Sequence, residues 1–189
     1  MEAKKILFVN ACARSSSRTY ELAKSLLDRL AGEVCEVALY GEDIRPLDQA
    51  ALESRNRNLE ARNYDHPDFG YARQFAQADT IVIAAPYWDL LFPAVLRSYL
   101  EATSVTGITF AYSEQGVPYG LCKAKRLYYV TTAGGYMGEN NFGFEYIKAL
   151  AQKLYGIEEI RLLSAEGLDI FGANVEQIMH EAKQRIASM

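Results

Sequence analysis

Two arginines and four hydroxyl side chains stand close together in the loop that follows the first apolar run of the chain. The run, residues 6–9 (Ile-Leu-Phe-Val), predicts a buried strand, and the next residues read Asn-Ala-Cys-Ala-Arg-Ser-Ser-Ser-Arg-Thr. Apolar side chains at positions 22, 23, 26, 27 and 30 then recur at helical spacing. Where a helix begins after a strand, main-chain N–H groups lack partners and the helix dipole attracts anions. The loop is therefore predicted to hold a phosphate.

The same loop also contains a nucleophile pattern. Cys12, five intervening residues, Arg18 and Thr19 match the Cys-x5-Arg-[Ser/Thr] signature of low-molecular-weight tyrosine phosphatases and arsenate reductases, whose thiolate attacks phosphorus. However, the chain has no Asp-Pro dipeptide to supply the general acid, and the loop has no glycine to let it wrap a phosphoryl group. We therefore favour a phosphate that is held and not attacked, with four donors from the loop: Arg14, Ser15, Ser17 and Thr19. Helix capping alone would need only one of these hydroxyls.

The bulk composition is that of a globular protein. Half of the residues are hydrophobic and 23% are charged, and a length of 189 residues fits one domain over residues 1–189. The net charge of -4 argues against nucleic acid as the main partner, and no apolar stretch predicts a secretory leader or a membrane span. Because Cys12, Cys35 and Cys122 form no Cys-x-x-Cys pair, we expect reduced thiols and a cytoplasmic location. The two histidines, His66 and His180, are far apart, so no metal site is expected.

Strand and helix patterns alternate along the rest of the chain. Apolar or alternating runs predict four further strands, at residues 33–40, 80–85, 126–132 and 160–164. Further helices are predicted at residues 47–63, 71–78, 144–155 and 175–187, one more opens at Pro93, and residues 107–120 form an irregular hairpin-like insertion. This alternation predicts an α/β fold, a flavodoxin-like three-layer sandwich with a five-stranded parallel sheet in the order 2-1-3-4-5. In that order the loops that begin at Asn10, Pro86 and Thr132 converge on one crevice.

Three further stretches share their pattern with a known family. They are residues 84–93 (Ala-Ala-Pro-Tyr-Trp-Asp-Leu-Leu-Phe-Pro), residues 107–112 (Gly-Ile-Thr-Phe-Ala-Tyr) and residues 120–135, which end Val-Thr-Thr-Ala-Gly-Gly. With the opening loop, and in this order, they resemble the FMN-dependent NAD(P)H:quinone oxidoreductase and azoreductase family of the flavodoxin-like superfamily. The resemblance covers most of the chain.

The resemblance implies a role for each loop. The first loop would hold the FMN phosphate, the second would line the isoalloxazine edge with a main-chain N–H near flavin N5, and the third would offer main-chain donors to the pyrimidine side. The implied cofactor-binding residues are Cys12, Arg14, Ser15, Ser17, Arg18, Thr19, Pro86, Tyr87, Trp88, Asp89, Leu90, Thr132, Ala133, Gly134 and Gly135. The implied walls of the substrate pocket, some supplied across a dimer interface, are Trp88, Phe110, Tyr112 and Tyr136.

One position departs from the family pattern. The azoreductase branch commonly has Met-Tyr-Asn-Phe where this chain has Tyr-Trp-Asp-Leu at residues 87–90. Asp89 replaces an amide, which can donate a hydrogen bond, with a carboxylate, which cannot. If the main chain makes the contact with the flavin, Asp89 points elsewhere and the departure affects redox potential and substrate choice but not the identity of the cofactor.

The resemblance implies a cytoplasmic homodimeric oxidoreductase. NADH or NADPH reduces FMN and leaves, and a small flat acceptor such as a quinone or azo compound then enters the same pocket; no side chain need donate a proton in the first half-reaction. The chain has no Gly-x-Gly-x-x-Gly pattern, so a nicotinamide is expected to bind only transiently over the flavin. The alternatives are a flavodoxin-type electron carrier and a low-molecular-weight phosphatase that uses Cys12 and Arg18.

Overall fold

A central parallel sheet organises the computed structural model, which describes residues 3–189. The strands in chain order are β1 Lys5–Asn10, β2 Glu33–Ala38, β3 Thr80–Ala84, β4 Phe110–Tyr112, β5 Pro118–Gly120, β6 Arg126–Thr132 and β7 Glu159–Ala165. The α-helices are α1 Arg18–Leu27, α2 Gln49–Glu60, α3 Gly70–Gln77, α4 Ala94–Thr103, α5 Phe142–Leu150 and α6 Val175–Ala187. Short 3-10 turns cover Leu39–Gly41 and Pro67–Phe69, and a π-helical turn, Ala151–Tyr155, extends α5. No helix within residues 3–189 is both long and apolar enough to span a membrane.

The sheet confirms the predicted parallel architecture and corrects the numbering of its strands. Five strands lie side by side in the order β2-β1-β3-β6-β7, and every neighbouring pair is parallel. The predicted order 2-1-3-4-5 is therefore matched only loosely. The reason is that β4 and β5 form a separate antiparallel hairpin, which the chain inserts between the third and fourth strands of the sheet.

Successive side chains of a strand point to opposite sides of the sheet. Because successive residues of the central strands are apolar, both faces of the sheet are apolar. In β1, Leu7 and Val9 join the core on one face, and Ile6 and Phe8 join the core on the other. Helices α3, α4 and α5 cover the first face, whereas α1 and α6 cover the second. The continuously apolar runs that predicted central strands are thus explained by burial on both faces.

Part of the segment between β2 and β3 lies on the surface, because α2, unlike α3, has no fully buried residue. Helix α2 begins after Asp48, whose side chain accepts a hydrogen bond from the main-chain N–H of Ala51 at 2.9 Å, and it has no buried residue. Its anchor is polar: the Arg55 guanidinium donates to the carbonyl oxygens of Glu101 and Ser104 at the carboxyl end of α4. Burial lowers the pKa of Arg55, so these carbonyls compensate for the partial burial of a charge.

Replacing Arg55 is therefore expected to loosen the attachment of α2 to α4. Arg55→Met keeps the length of the side chain but leaves the two carbonyls without a donor, which costs about 1–3 kcal/mol. Urea denaturation followed by circular dichroism measures the change in the free energy of unfolding. The matched control is Arg57→Met on the same helix, where the side chain is exposed; equal losses for both variants would contradict the anchoring role.

Candidate functional site

A crevice of about 360 Å³ opens where β1, β3 and β6 end, in the size range of small-molecule sites. The loops after these three strands meet there, as expected from the order of the strands. Its walls are Ala13, Arg14, Ser16, Ser17, Arg18, Thr19, Pro86, Tyr87, Trp88, Thr132, Ala133, Gly134, Leu168 and Asp169. Ten of these were proposed from sequence: Arg14, Ser17, Arg18, Thr19, Pro86, Tyr87, Trp88, Thr132, Ala133 and Gly134.

The first loop places the amino end of α1 against the crevice. Ser17 is the N-cap, and its side chain accepts a hydrogen bond from the main-chain N–H of Tyr20 at 3.2 Å. One serine thus serves the helix, while Arg14 and Ser16 stay exposed at the crevice wall. Thr19 turns inward: its hydroxyl is buried and lies 2.6 Å from the hydroxyl of Thr132. This contact ties the first loop to the third.

Cys12 has the environment of a packing residue. Its main-chain N–H donates to the Asn10 side chain at 3.0 Å, and its Sγ lies 3.8 Å from the carbonyl oxygen of Ala84. Burial raises the pKa of the Cys12 thiol, and with the nearby charge of Glu36 it outweighs the hydrogen bonds from Ser17 and Tyr20, which lower the pKa. A nucleophilic cysteine needs the opposite shift, so this geometry disfavours phosphatase chemistry. With Ser15, Cys12 lines an adjoining cavity and not the crevice itself.

The second loop contains a tight turn with an unusual backbone. The main-chain N–H of Tyr87 donates to the carbonyl of Thr132 at 3.0 Å, and Trp88 and Leu91 exchange two main-chain hydrogen bonds. Between them Asp89 and Leu90 adopt positive φ angles of 50° and 67°. Residues other than glycine, asparagine and aspartate rarely adopt such angles, so Leu90 is the unusual one. Both side chains are exposed outside the crevice, whereas Trp88 lines it. Nothing in the sequence indicated a left-handed leucine.

The third loop is held by the segment that follows β7. The carbonyls of Ala133, Gly134 and Gly135 accept hydrogen bonds from the N–H groups of residues 168, 169 and 167, at 3.2, 2.9 and 2.9 Å. Glu166 adds a side-chain contact, because its carboxylate accepts from the N–H of Met137 at 2.9 Å. The N–H groups of Gly134 and Gly135 have no acceptor among residues 3–189, and Gly135 is exposed beside the crevice.

Leu168 and Asp169 are crevice residues that the sequence analysis missed. The available signal was their position after β7, because all carboxyl ends of a parallel sheet lie at the same edge. Asp169 is the one acidic side chain among the crevice walls, and it pairs with Arg18 at 2.9 Å. Arg14 and Arg18 therefore give the crevice an excess of positive charge next to a helix amino terminus, which suits an anionic group.

The structure does not bring every proposed aromatic residue to the crevice. Phe110 and Tyr112 lie on the β4–β5 hairpin, which packs against the carboxyl end of the π-helical turn. The chain after the hairpin is tied to the opposite end of the sheet, because Lys123 pairs with Asp79 just before β3. Tyr136 lies nearer, beside Gly167, with its ring exposed. Phe110 is buried within its own chain and is not available to a pocket wall, whereas Tyr112 is exposed. A place for Tyr112 in a pocket wall therefore requires a second copy of the chain.

A doubly wound parallel sheet in this strand order, with a crevice at the carboxyl ends of its strands, is the architecture of flavodoxin-like proteins. Comparison with known proteins agrees: residues 4–189 match the model of a family described as having the flavodoxin-like fold. The chain belongs to this family. It is 36% identical to an FMN-dependent NADH:quinone oxidoreductase of Clostridium beijerinckii, over 94% of this chain and 93% of the relative. It is 34% identical to a protein of the same description from Coprothermobacter proteolyticus, over 94% of each chain.

Solved structures show the same fold. An azoreductase from Bacillus anthracis superposes with a TM-score of 0.85 over 98% of this chain and 97% of its own, at 23% identity. An FMN-dependent NADH-azoreductase from the same species, solved in complex with FMN, gives a TM-score of 0.79 over 98% of each chain, at 21% identity. The family expected from the sequence is thus confirmed.

The turn at residues 88–91 predicts that glycine is preferred over leucine at position 90. Leu90→Gly is expected to raise the free energy of unfolding by about 1 kcal/mol, because it removes the steric cost of a left-handed residue. Chemical denaturation of the ligand-free protein measures the change. Leu90→Ala is the matched control, since alanine keeps the cost; a loss of stability in Leu90→Gly larger than in Leu90→Ala would contradict the strained turn.

Proposed function

We propose that this chain is an FMN-dependent oxidoreductase that takes electrons from NADH or NADPH and passes them to a quinone, an azo compound or a similar flat acceptor. The observation that carries the proposal is that a positively charged helix amino terminus and two loops with main-chain donors line the same crevice. The names of the relatives, which specify FMN, NADH and quinones, support the same activity. We further propose that residues 1–189 act as one FMN-binding domain.

The charged end of the crevice fits a phosphate. Arg14 and Arg18 supply guanidinium groups, and the first turn of α1 supplies main-chain N–H groups that have no partner within the helix. Ser17 accepts from Tyr20, and its hydroxyl, which also reaches the Cys12 sulfur, can turn its proton toward an anion. These charge-assisted donors would hold the FMN phosphate. Ser15 and Cys12 shape the far side of the same loop.

The remaining loops fit a flat ring system. Pro86, Tyr87 and Trp88 form one wall of the crevice, and Thr132, Ala133 and Gly134 form another. When bound, FMN supplies a ring that accepts a hydride and gives it up again. The N–H groups of Gly134 and Gly135 would bind the pyrimidine side, where preorganised donors stabilise negative charge. Their carbonyls already bind the segment after β7, so these N–H groups are held in place.

The exposed turn accounts for the carboxylate at position 89. The N–H groups of Asp89 and Leu90 have no acceptor among residues 3–189, so the main chain is free to contact the flavin edge. The Asp89 side chain is exposed and does not line the crevice. This chain has Asp89 where the azoreductase branch commonly has asparagine, and this difference therefore does not by itself place a negative charge against the ring.

We propose a homodimer for the working enzyme. Trp88 and Tyr136 are exposed beside the crevice, and Phe171, two residues after the crevice residue Asp169, is fully exposed. Such exposed aromatic side chains indicate a surface that another molecule covers. A second copy would cover them and bring the exposed hairpin residue Tyr112 to the substrate side, whereas Phe110 stays in the core of its own chain. The free thiols of Cys12, Cys35 and Cys122 suit a reducing compartment such as the cytoplasm.

The proposed activity predicts a defined spectroscopic cycle. After reconstitution with FMN, the purified protein should show flavin absorption bands that bleach on anaerobic addition of NADH and return on addition of a quinone. Stopped-flow spectroscopy measures both half-reactions. Failure to bind FMN would contradict the proposal.

Two other outcomes would favour the alternatives. Binding of FMN without bleaching by NADH or NADPH would indicate an electron carrier. Hydrolysis of p-nitrophenyl phosphate that is lost in Cys12→Ser would indicate a phosphatase.

The dimer is tested separately by placing a charge in the exposed apolar surface. Phe171→Asp should lower the mass in solution from two chains to one, because the interface would have to bury an unpaired carboxylate. Analytical ultracentrifugation measures the mass. Leu52→Asp, at an exposed position on α2, is the matched control and should leave the mass unchanged; a wild-type protein with the mass of one chain would contradict the dimer.

A further inference from the structure

The pair between Arg18 and Asp169 joins the two sides of the crevice. Arg18 is the first residue of α1, and its Nη1 donates to Asp169 Oδ1 at 2.9 Å. Both residues line the crevice. Asp169 thus places a carboxylate at the helix amino terminus, where a negative charge is favourable. This is also the place where the phosphate of a cofactor would bind.

The backbone around Asp169 is held independently of this pair. Its main-chain N–H donates to the carbonyl of Gly134 at 2.9 Å, and its Oδ2 would lie 2.5 Å from a Cβ atom at position 134. Glycine at this position therefore gives the carboxylate room to reach Arg18. Because the main chain is anchored, the side chain can rotate away from Arg18 without moving the loop.

The ion pair itself is exposed to water. The Arg18 side chain is 42% exposed and the Asp169 side chain 71%, so neither charge needs the other to compensate for burial. Exposed pairs of this kind contribute little to stability. A phosphate monoester carries more charge than a carboxylate and has three acceptor oxygens, so it is the stronger partner for Arg18.

We propose that Asp169 is an internal placeholder anion, which occupies Arg18 in the ligand-free protein and yields it to the phosphate of FMN. Asp169 therefore competes with the phosphate and sets the cofactor affinity below what the two arginines and the helix terminus could provide. Arg14, which has no ion-pair partner among residues 3–189, makes the first contact with the phosphate, and Arg18 follows once Asp169 has turned away. This inference rests on the proposed function.

The test compares two ligands that differ only in the phosphate. Asp169→Asn is nearly isosteric and removes the competing charge, so the dissociation constant of FMN should fall about 2- to 5-fold. The dissociation constant of riboflavin, which has no phosphate, should stay unchanged. Quenching of flavin fluorescence on titration of the ligand-free protein measures both. Asp43→Asn, which breaks the exposed pair with Arg45 far from the crevice walls, is the control for the change in net charge.

A double-mutant cycle assigns the effect to Arg18. Arg18→Gln alone should weaken FMN binding, and Asp169→Asn in that background should no longer tighten it. Thermal unfolding of each ligand-free variant verifies that it is folded. Weaker or unchanged FMN binding in Asp169→Asn, an equal gain for riboflavin, or an equal gain in the Arg18→Gln background would each overturn the placeholder. A wild-type protein that binds no FMN at all would instead contradict the proposed function.

Discussion

A main-chain hydrogen-bond ladder that continues beyond the ends of the strands is the constraint on which the crevice depends. Past β1 the N–H of Ala11 donates to Ala84, past β3 the N–H of Tyr87 donates to Thr132, and past β6 the N–H of Ala133 donates to Ala165. Each loop is therefore fixed to its neighbour before it leaves the sheet. Since the strands are parallel, every one of these loops leaves at the same edge, and the order of the strands decides which loops are adjacent.

The crevice combines charge with backbone polarity. Its positively charged end consists of Arg14, Arg18 and a helix amino terminus, whereas its flat walls offer main-chain groups whose positions are set by hydrogen bonds on their other side. Donors held in this way need little rearrangement when a ligand arrives, which is the property that makes them effective toward developing charge. The acidic residue at the edge, Asp169, is the one group whose sign opposes the rest.

At two positions near the crevice, the sequence predicts one backbone conformation or role for a residue and the structure shows another. Leucine is a poor residue for a left-handed turn, yet Leu90 occupies one beside the crevice. A second disagreement is Cys12, whose spacing to Arg18 matches a phosphatase signature but whose thiol is buried against the main chain of β3. Strain and misleading motifs of this kind are expected where a loop serves binding and not folding.

Pattern alone was sufficient for the strands, for the two-sided core and for the convergence of three loops, and the resemblance to a known family added the crevice residues of the second and third loops. Apolar runs of strand length, and hydroxyls and glycines after them, are local features, and the order of a doubly wound sheet then brings three loops together. Local pattern could not reveal Leu168 and Asp169, because their contribution depends on how the segment after β7 folds back onto Gly134. Nor could it show that the Thr19 hydroxyl is directed at Thr132, or that Phe110 is buried in a hairpin that packs against the π-helical turn. Those facts concern side-chain direction and long-range packing, which only the three-dimensional arrangement of the whole chain decides.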